Sequence, residues 1–122
     1  MVKILFVDDA DLMLKIAKTM LEKFGYQVLT ASNGKEAIEL AEKEKPDIIF
    51  LDAEMPEMDG WETCRVIKNT LTIKDIPTIM CTGHESDEYR QKSAELGAVG
   101  YITKPYNFEL IKQKISELLA SK

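Results

Sequence analysis

Short apolar runs and amphipathic stretches alternate five times along this chain, and that alternation narrows the possible folds more than any other feature. Residues 2–7 form a nearly continuous apolar run, as expected of a strand buried on both faces. Residues 11–24 follow with apolar side chains at helical spacing. Leu12, Ile16 and Met20 make one row, and Met13, Ala17, Leu21 and Phe24 another, with Met13 and Met20 read as core-facing. Gly25 suits the carboxyl cap of that helix. A second strand is expected over 26–31. Asn33 and Glu36 then open a helix carrying Ala37, Leu40 and Ala41. Beyond Pro46 the pattern repeats: strands at 47–51, 78–81 and 99–103, and helices at 61–69, 86–96 and 108–119.

Strict alternation of this kind predicts an α/β fold, a parallel sheet covered by helices on both faces with right-handed crossovers. The first strand must lie centrally if its carboxyl end is to neighbour that of the third. A flavodoxin-like, doubly wound (βα)5 order of 2-1-3-4-5 meets that demand. The helix at 86–96 stands apart, because Ser-Asp-Glu-Tyr-Arg-Gln-Lys-Ser offers little apolar surface. Thin packing makes it a candidate for movement.

With 122 residues the chain is expected to be one domain spanning 1–122, with no output domain after the last helix. A net charge of -5 disfavours nucleic acid as a direct partner. Cys64 and Cys81 lack zinc-site spacing and read as a buried, reduced pair. No stretch has the length of a membrane span or the form of a signal peptide, so a cytoplasmic protein away from membranes is expected.

Chemistry gathers where the strands end. Asp8 and Asp9 follow ILFV, Asp52 follows IIFL, Thr82 follows TIMC, and Lys104 follows YIT. In an open α/β sheet the ligand crevice lies outside these carboxyl ends. One aspartate is enough to cap a helix, and several crowded together repel unless a cation joins them. A carboxylate such as Asp52 can take a phosphoryl group directly. Mg²⁺ removes the repulsion between the two anions, bound by Asp9 and Asp52 directly, by Asp8 through water, and by the backbone carbonyl of Glu54. Lys104 offers an ammonium, and Thr82 a hydroxyl, to the phosphoryl oxygens.

These positions resemble the receiver domains of two-component response regulators, in particular the single-domain chemotaxis regulators, essentially from end to end. The carried motifs are Asp8-Asp9, the acceptor segment Leu51-Asp52-Ala53-Glu54-Met55-Pro56, Asp59-Gly60, Thr82, Tyr101 and Lys104-Pro105. The resemblance implies Asp52 as phosphoacceptor, Thr82 and Tyr101 as switch residues, and a cis bond before Pro105. It further implies Mg²⁺, a histidine kinase or phosphotransfer protein as donor, and a downstream protein on the face formed by the fourth helix, fifth strand and fifth helix. A receiver of this kind assists its own phosphorylation and dephosphorylation without being an enzyme. The alternative reading is a small Mg²⁺-dependent phosphatase with an aspartate nucleophile. That chemistry expects a second aspartate two residues on, where Glu54 stands.

Glu54 and His84 lie two residues beyond Asp52 and Thr82, positions that in this family influence how long the phosphoryl group lasts. The Glu54 carboxylate is expected to repel phosphoryl oxygens or to bind Lys104 or the metal region. His84 is expected to obstruct the hydrolytic water or to orient it, and obstruction, giving a long-lived phosphoryl group, is the favoured reading. Gly83 replaces the alanine more common after the switch threonine, which loosens that loop.

Overall fold

A computed structural model describes residues 1–120 of the chain. Among them, strands β1 (Lys3–Val7), β2 (Gln27–Ala31), β3 (Ile48–Asp52), β4 (Thr78–Thr82) and β5 (Gly100–Thr103) alternate with helices. These are α1 (Asp11–Lys23), α2 (Gly34–Glu44), α3 (Gly60–Lys68), α4 (Asp87–Glu95) and α5 (Phe108–Ala120). The strands form one sheet in the order β2-β1-β3-β4-β5, every neighbouring pair parallel. The doubly wound architecture read from the alternation is the one observed.

Successive side chains of a strand point to opposite faces, so each buried run feeds two cores. Leu5, Val7, Ile49, Leu51 and Met80 face one way, against Ala37 and Ala41 of α2 and Trp61, Cys64 and Ile67 of α3. Ile4, Phe6, Ile48, Phe50, Ile79 and Cys81 face the other, against Leu14, Ala17 and Leu21 of α1 and Ile111 and Ile115 of α5. Both cysteines are free and buried.

Helix α1 corrects one expectation. Its buried residues are Leu14, Ala17 and Leu21, spaced i, i+3 and i+7. Met13 and Met20 are only half-buried, while Leu12 and Ile16 are 71% and 40% exposed. An apolar stripe wide enough for two rows leaves its orientation to be chosen by the sheet, and the sheet engages the row through Ala17.

The helix starts follow local chemistry. The Asn33 side chain accepts the Glu36 N–H at 2.8 Å, and Glu36 Oε1 accepts the Ser32 N–H at 3.3 Å. Asp59 caps α3 through the Glu62 N–H at 2.9 Å. The α1 N-cap is Ala10, with no side-chain cap, which leaves the aspartates before it to other work. At the start of α3, Gly60 allows the helix to meet the end of β3. A Cβ there would lie 2.0 Å from the Asp52 carbonyl oxygen and 2.6 Å from Ala53 Cα.

Candidate functional site at the carboxyl ends of the strands

Pairing of β1 with β3 and of β3 with β4 sets Val7 beside Leu51 and Asp52 beside Cys81. The residues that leave these strands therefore converge. Asp8, Asp9 and Asp52 each offer a carboxylate oxygen, all within 4.8 Å of one another. Asp8 and Asp52 are buried, at 3% and 0% exposure, and Asp9 is exposed.

Asp52 is held unevenly. Its Oδ1 accepts from Lys104 Nζ at 2.7 Å and from the Glu54 N–H at 3.1 Å. Its Oδ2 is buried and has no hydrogen-bond partner among the described residues. Burial, reinforced by the charge of Asp8 and opposed by the Lys104 hydrogen bond, pushes the Asp52 carboxyl up to about 6. Lys104 also lies 3.7 Å from Asp8 Oδ2. Burial works against its charge, but the Asp52 hydrogen bond and the neighbouring carboxylates outweigh it and hold the ammonium above its ordinary value. The Lys104–Pro105 peptide bond is cis.

An orphaned carboxylate oxygen in a cluster of three acids is the donor set that a hard, oxygen-seeking cation completes. The residues present thus fit a divalent cation such as Mg²⁺, since Asp8, Asp9 and Asp52 each bring a carboxylate oxygen to one place.

Thr82 ends β4 beside this cluster. Its hydroxyl donates to Glu54 Oε1 and accepts the His84 N–H at 3.1 Å. His84 Nε2 lies 3.7 Å from the same Glu54 oxygen. The Glu54 side chain thus engages Thr82 and His84, whereas the ammonium of Lys104 is taken by Asp52 and Asp8. Tyr101, half-buried on β5, donates its hydroxyl to the His84 carbonyl, so it meets the site through the loop after β4 and not at the carboxylates.

One participant escaped the reading from sequence. Tyr106, next but one after Lys104, donates its hydroxyl to Asp8 Oδ2 at 2.9 Å. An aromatic ring with a polar tip, placed just past a strand that opens into the crevice, was the available signal, since a buried tyrosine hydroxyl usually finds a partner.

Comparison with known proteins agrees with this fold. A family model described as a response regulator receiver domain matches residues 4–116. The chain is 35% identical to protein PilH of Pseudomonas aeruginosa over 120 residues, covering 98% of this chain and 99% of that protein. It is 37% identical to the alkaline phosphatase synthesis transcriptional regulatory protein PhoP of Bacillus subtilis over 117 residues, covering 96% of this chain. The chain spans about half the length of several curated relatives it matches, 48% in the case of PhoP. Among solved structures, the chemotaxis protein CheY4 of Vibrio cholerae superposes with a TM-score of 0.91 at 33% identity, over 96% of this chain and 98% of that one.

Proposed function

The chain belongs to the response-regulator receiver family of two-component signalling, and from that premise we propose that it accepts a phosphoryl group on Asp52 from a histidine kinase or phosphotransfer protein. The observation that carries this reading is the state of the Asp52 carboxylate: buried, tied by one oxygen to Lys104, and unpartnered at the other beside Asp8 and Asp9.

Each residue then has a task. Asp52 supplies the oxygen that bonds to phosphorus as the donor's leaving group departs. Lys104 passes its hydrogen bond from Asp52 to a phosphoryl oxygen, keeping its charge where negative charge accumulates. Thr82 donates to another phosphoryl oxygen, which requires its hydroxyl to leave Glu54. Mg²⁺, held by Asp9, Asp52 and the Glu54 carbonyl with Asp8 outside them, would neutralise the repulsion between acceptor and donor. Movement of Thr82 disturbs the His84 loop, and with it the hydroxyl contact of Tyr101. Through that contact the phosphoryl group alters the face made by α4, β5 and α5, where a downstream protein is recognised. Glu54 and His84 flank the acceptor and slow hydrolysis by crowding the water's approach. A cytoplasmic setting, with residues 4–116 acting as the receiver domain, fits this reading.

One labelling experiment tests it. Wild-type protein with acetyl phosphate and Mg²⁺ is expected to gain one phosphoryl group by intact mass, and Asp52→Asn none. Decay after donor removal is expected to quicken in Glu54→Asn and His84→Ala. Labelling of Asp52→Asn at wild-type yield would overturn the acceptor assignment. Continuous release of phosphate by the wild type with no stable stoichiometric adduct would favour the phosphatase. Unchanged decay in both lifetime variants would remove Glu54 and His84 from that role.

A further inference from the structure

The three carboxylates of the site are not equivalent, and the difference lies in what already holds them. Asp52 keeps one buried oxygen without a partner. Asp9 is exposed to water. Asp8 is buried with both oxygens engaged: Oδ1 accepts the Ala10 N–H at 2.9 Å, and Oδ2 accepts the Tyr106 hydroxyl at 2.9 Å. A carboxylate offers about four lone-pair sites. Asp8 can therefore still accept from water, but its direction is set by the two donors it has.

We propose that Tyr106 is a positioning residue for the cation site, its hydroxyl orienting Asp8 as an outer carboxylate that acts on Mg²⁺ through bound water. This rests on the Mg²⁺ reading above and deepens it.

The surroundings of Tyr106 separate its ring from its hydroxyl. The ring packs edge-on against Phe6 with centroids 5.1 Å apart, and lies 6.1 Å from Phe108. Phenylalanine would fill that space equally well. The hydroxyl adds nothing to this packing, and its partner is the acid 98 positions earlier in the chain. Without it Asp8 would be a buried carboxylate depending on one backbone N–H and on Lys104 at 3.7 Å. Lys104 is the group that must turn to the phosphoryl oxygens, so Tyr106 is the side-chain donor that can stay with Asp8 throughout. Hydrogen bonds to residues that ligate a metal directly commonly change its affinity by about 10- to 100-fold, and a donor acting through an outer carboxylate is placed at the low end of that range.

The test is calorimetric titration of Mg²⁺ into the unphosphorylated protein, comparing wild type, Tyr106→Phe, Asp8→Asn and the double variant. Because Tyr106→Phe keeps the ring, the metal-free variant is expected to fold, and its melting curve checks this. Affinity is expected to fall about tenfold in Tyr106→Phe. In the Asp8→Asn background, where Asp9 and Asp52 still bind at millimolar Mg²⁺, the same change is expected to alter affinity by less than about twofold. Wild-type-like affinity in Tyr106→Phe, or an equal tenfold loss with and without Asp8, overturns the assignment of Tyr106 alone. A wild type that binds no Mg²⁺ overturns the metal reading, and this assignment with it.

Discussion

At the scale of single residues, Asp52 is placed where its charge is least comfortable without a cation. Burial is the largest cause, Asp8 adds repulsion, and the Lys104 hydrogen bond returns only part of the loss, leaving its carboxyl at about 6 against an ordinary 3.8. Between those values the folded protein binds more protons at this position than the unfolded chain does. Stability therefore falls as pH rises through the window, and the cost is fully present above about pH 6. A shift of about two units corresponds to roughly 3 kcal/mol. Denaturant titrations in chelator are expected to show metal-free Asp52→Asn gaining about 2–3 kcal/mol on the wild type between pH 4 and pH 7. Lys104 stays charged at both values, so its lost partner does not contribute to the difference. A gap independent of pH would refute this account of Asp52.

At the scale of elements, α4 is the helix whose attachment departs from the rest. The other helices bury apolar stripes, whereas α4 fully buries only Ser93. An aromatic stack contributes to its hold. Tyr89 lies between Trp61 of α3, with centroids 5.7 Å apart, and His84 of the preceding loop, 5.1 Å apart. Lys92 adds its ammonium 4.7 Å above the Trp61 ring. Aromatic pairs contribute about 0.5–1.5 kcal/mol each beyond their burial, enough to seat a helix and weak enough to release it. The stack begins at the loop that carries the Thr82 contact, which is the route the proposed switching would take to α4. By hydrogen exchange, Tyr89→Ala is expected to speed the amides of α4 about tenfold relative to those of β1 and β3, consistent with a separately opening unit. Equal acceleration in the helix and the central strands would show that α4 does not open on its own.

At the scale of the whole molecule, the fold gathers three carboxylates at one end of its sheet, the arrangement on which the proposed cation site rests. On the proposed Mg²⁺ reading, saturating metal is expected to stabilise the folded state by linkage, by about 2.7 kcal/mol at a hundredfold excess over the dissociation constant. Metal-free Asp9→Asn, relieved of one of three charges, is expected to melt no lower than wild type and to gain less from Mg²⁺. A clear drop in its metal-free melting temperature would contradict the repulsion argument. The sequence alone determined the order of elements, the parallel sheet and the convergence of Asp8, Asp9, Asp52, Thr82 and Lys104. It could do so because strand and helix periods are local, and because crossover handedness leaves few ways to join such units. The tertiary structure alone decided which row of α1 turns inward, that the Glu54 carboxylate meets Thr82 and leaves Lys104 to Asp52 and Asp8, that Tyr89 stacks between Trp61 and His84, and that Tyr106 reaches Asp8. Those outcomes depend on side-chain directions and on neighbours distant in the chain. A local pattern of apolar and polar residues carries no record of them.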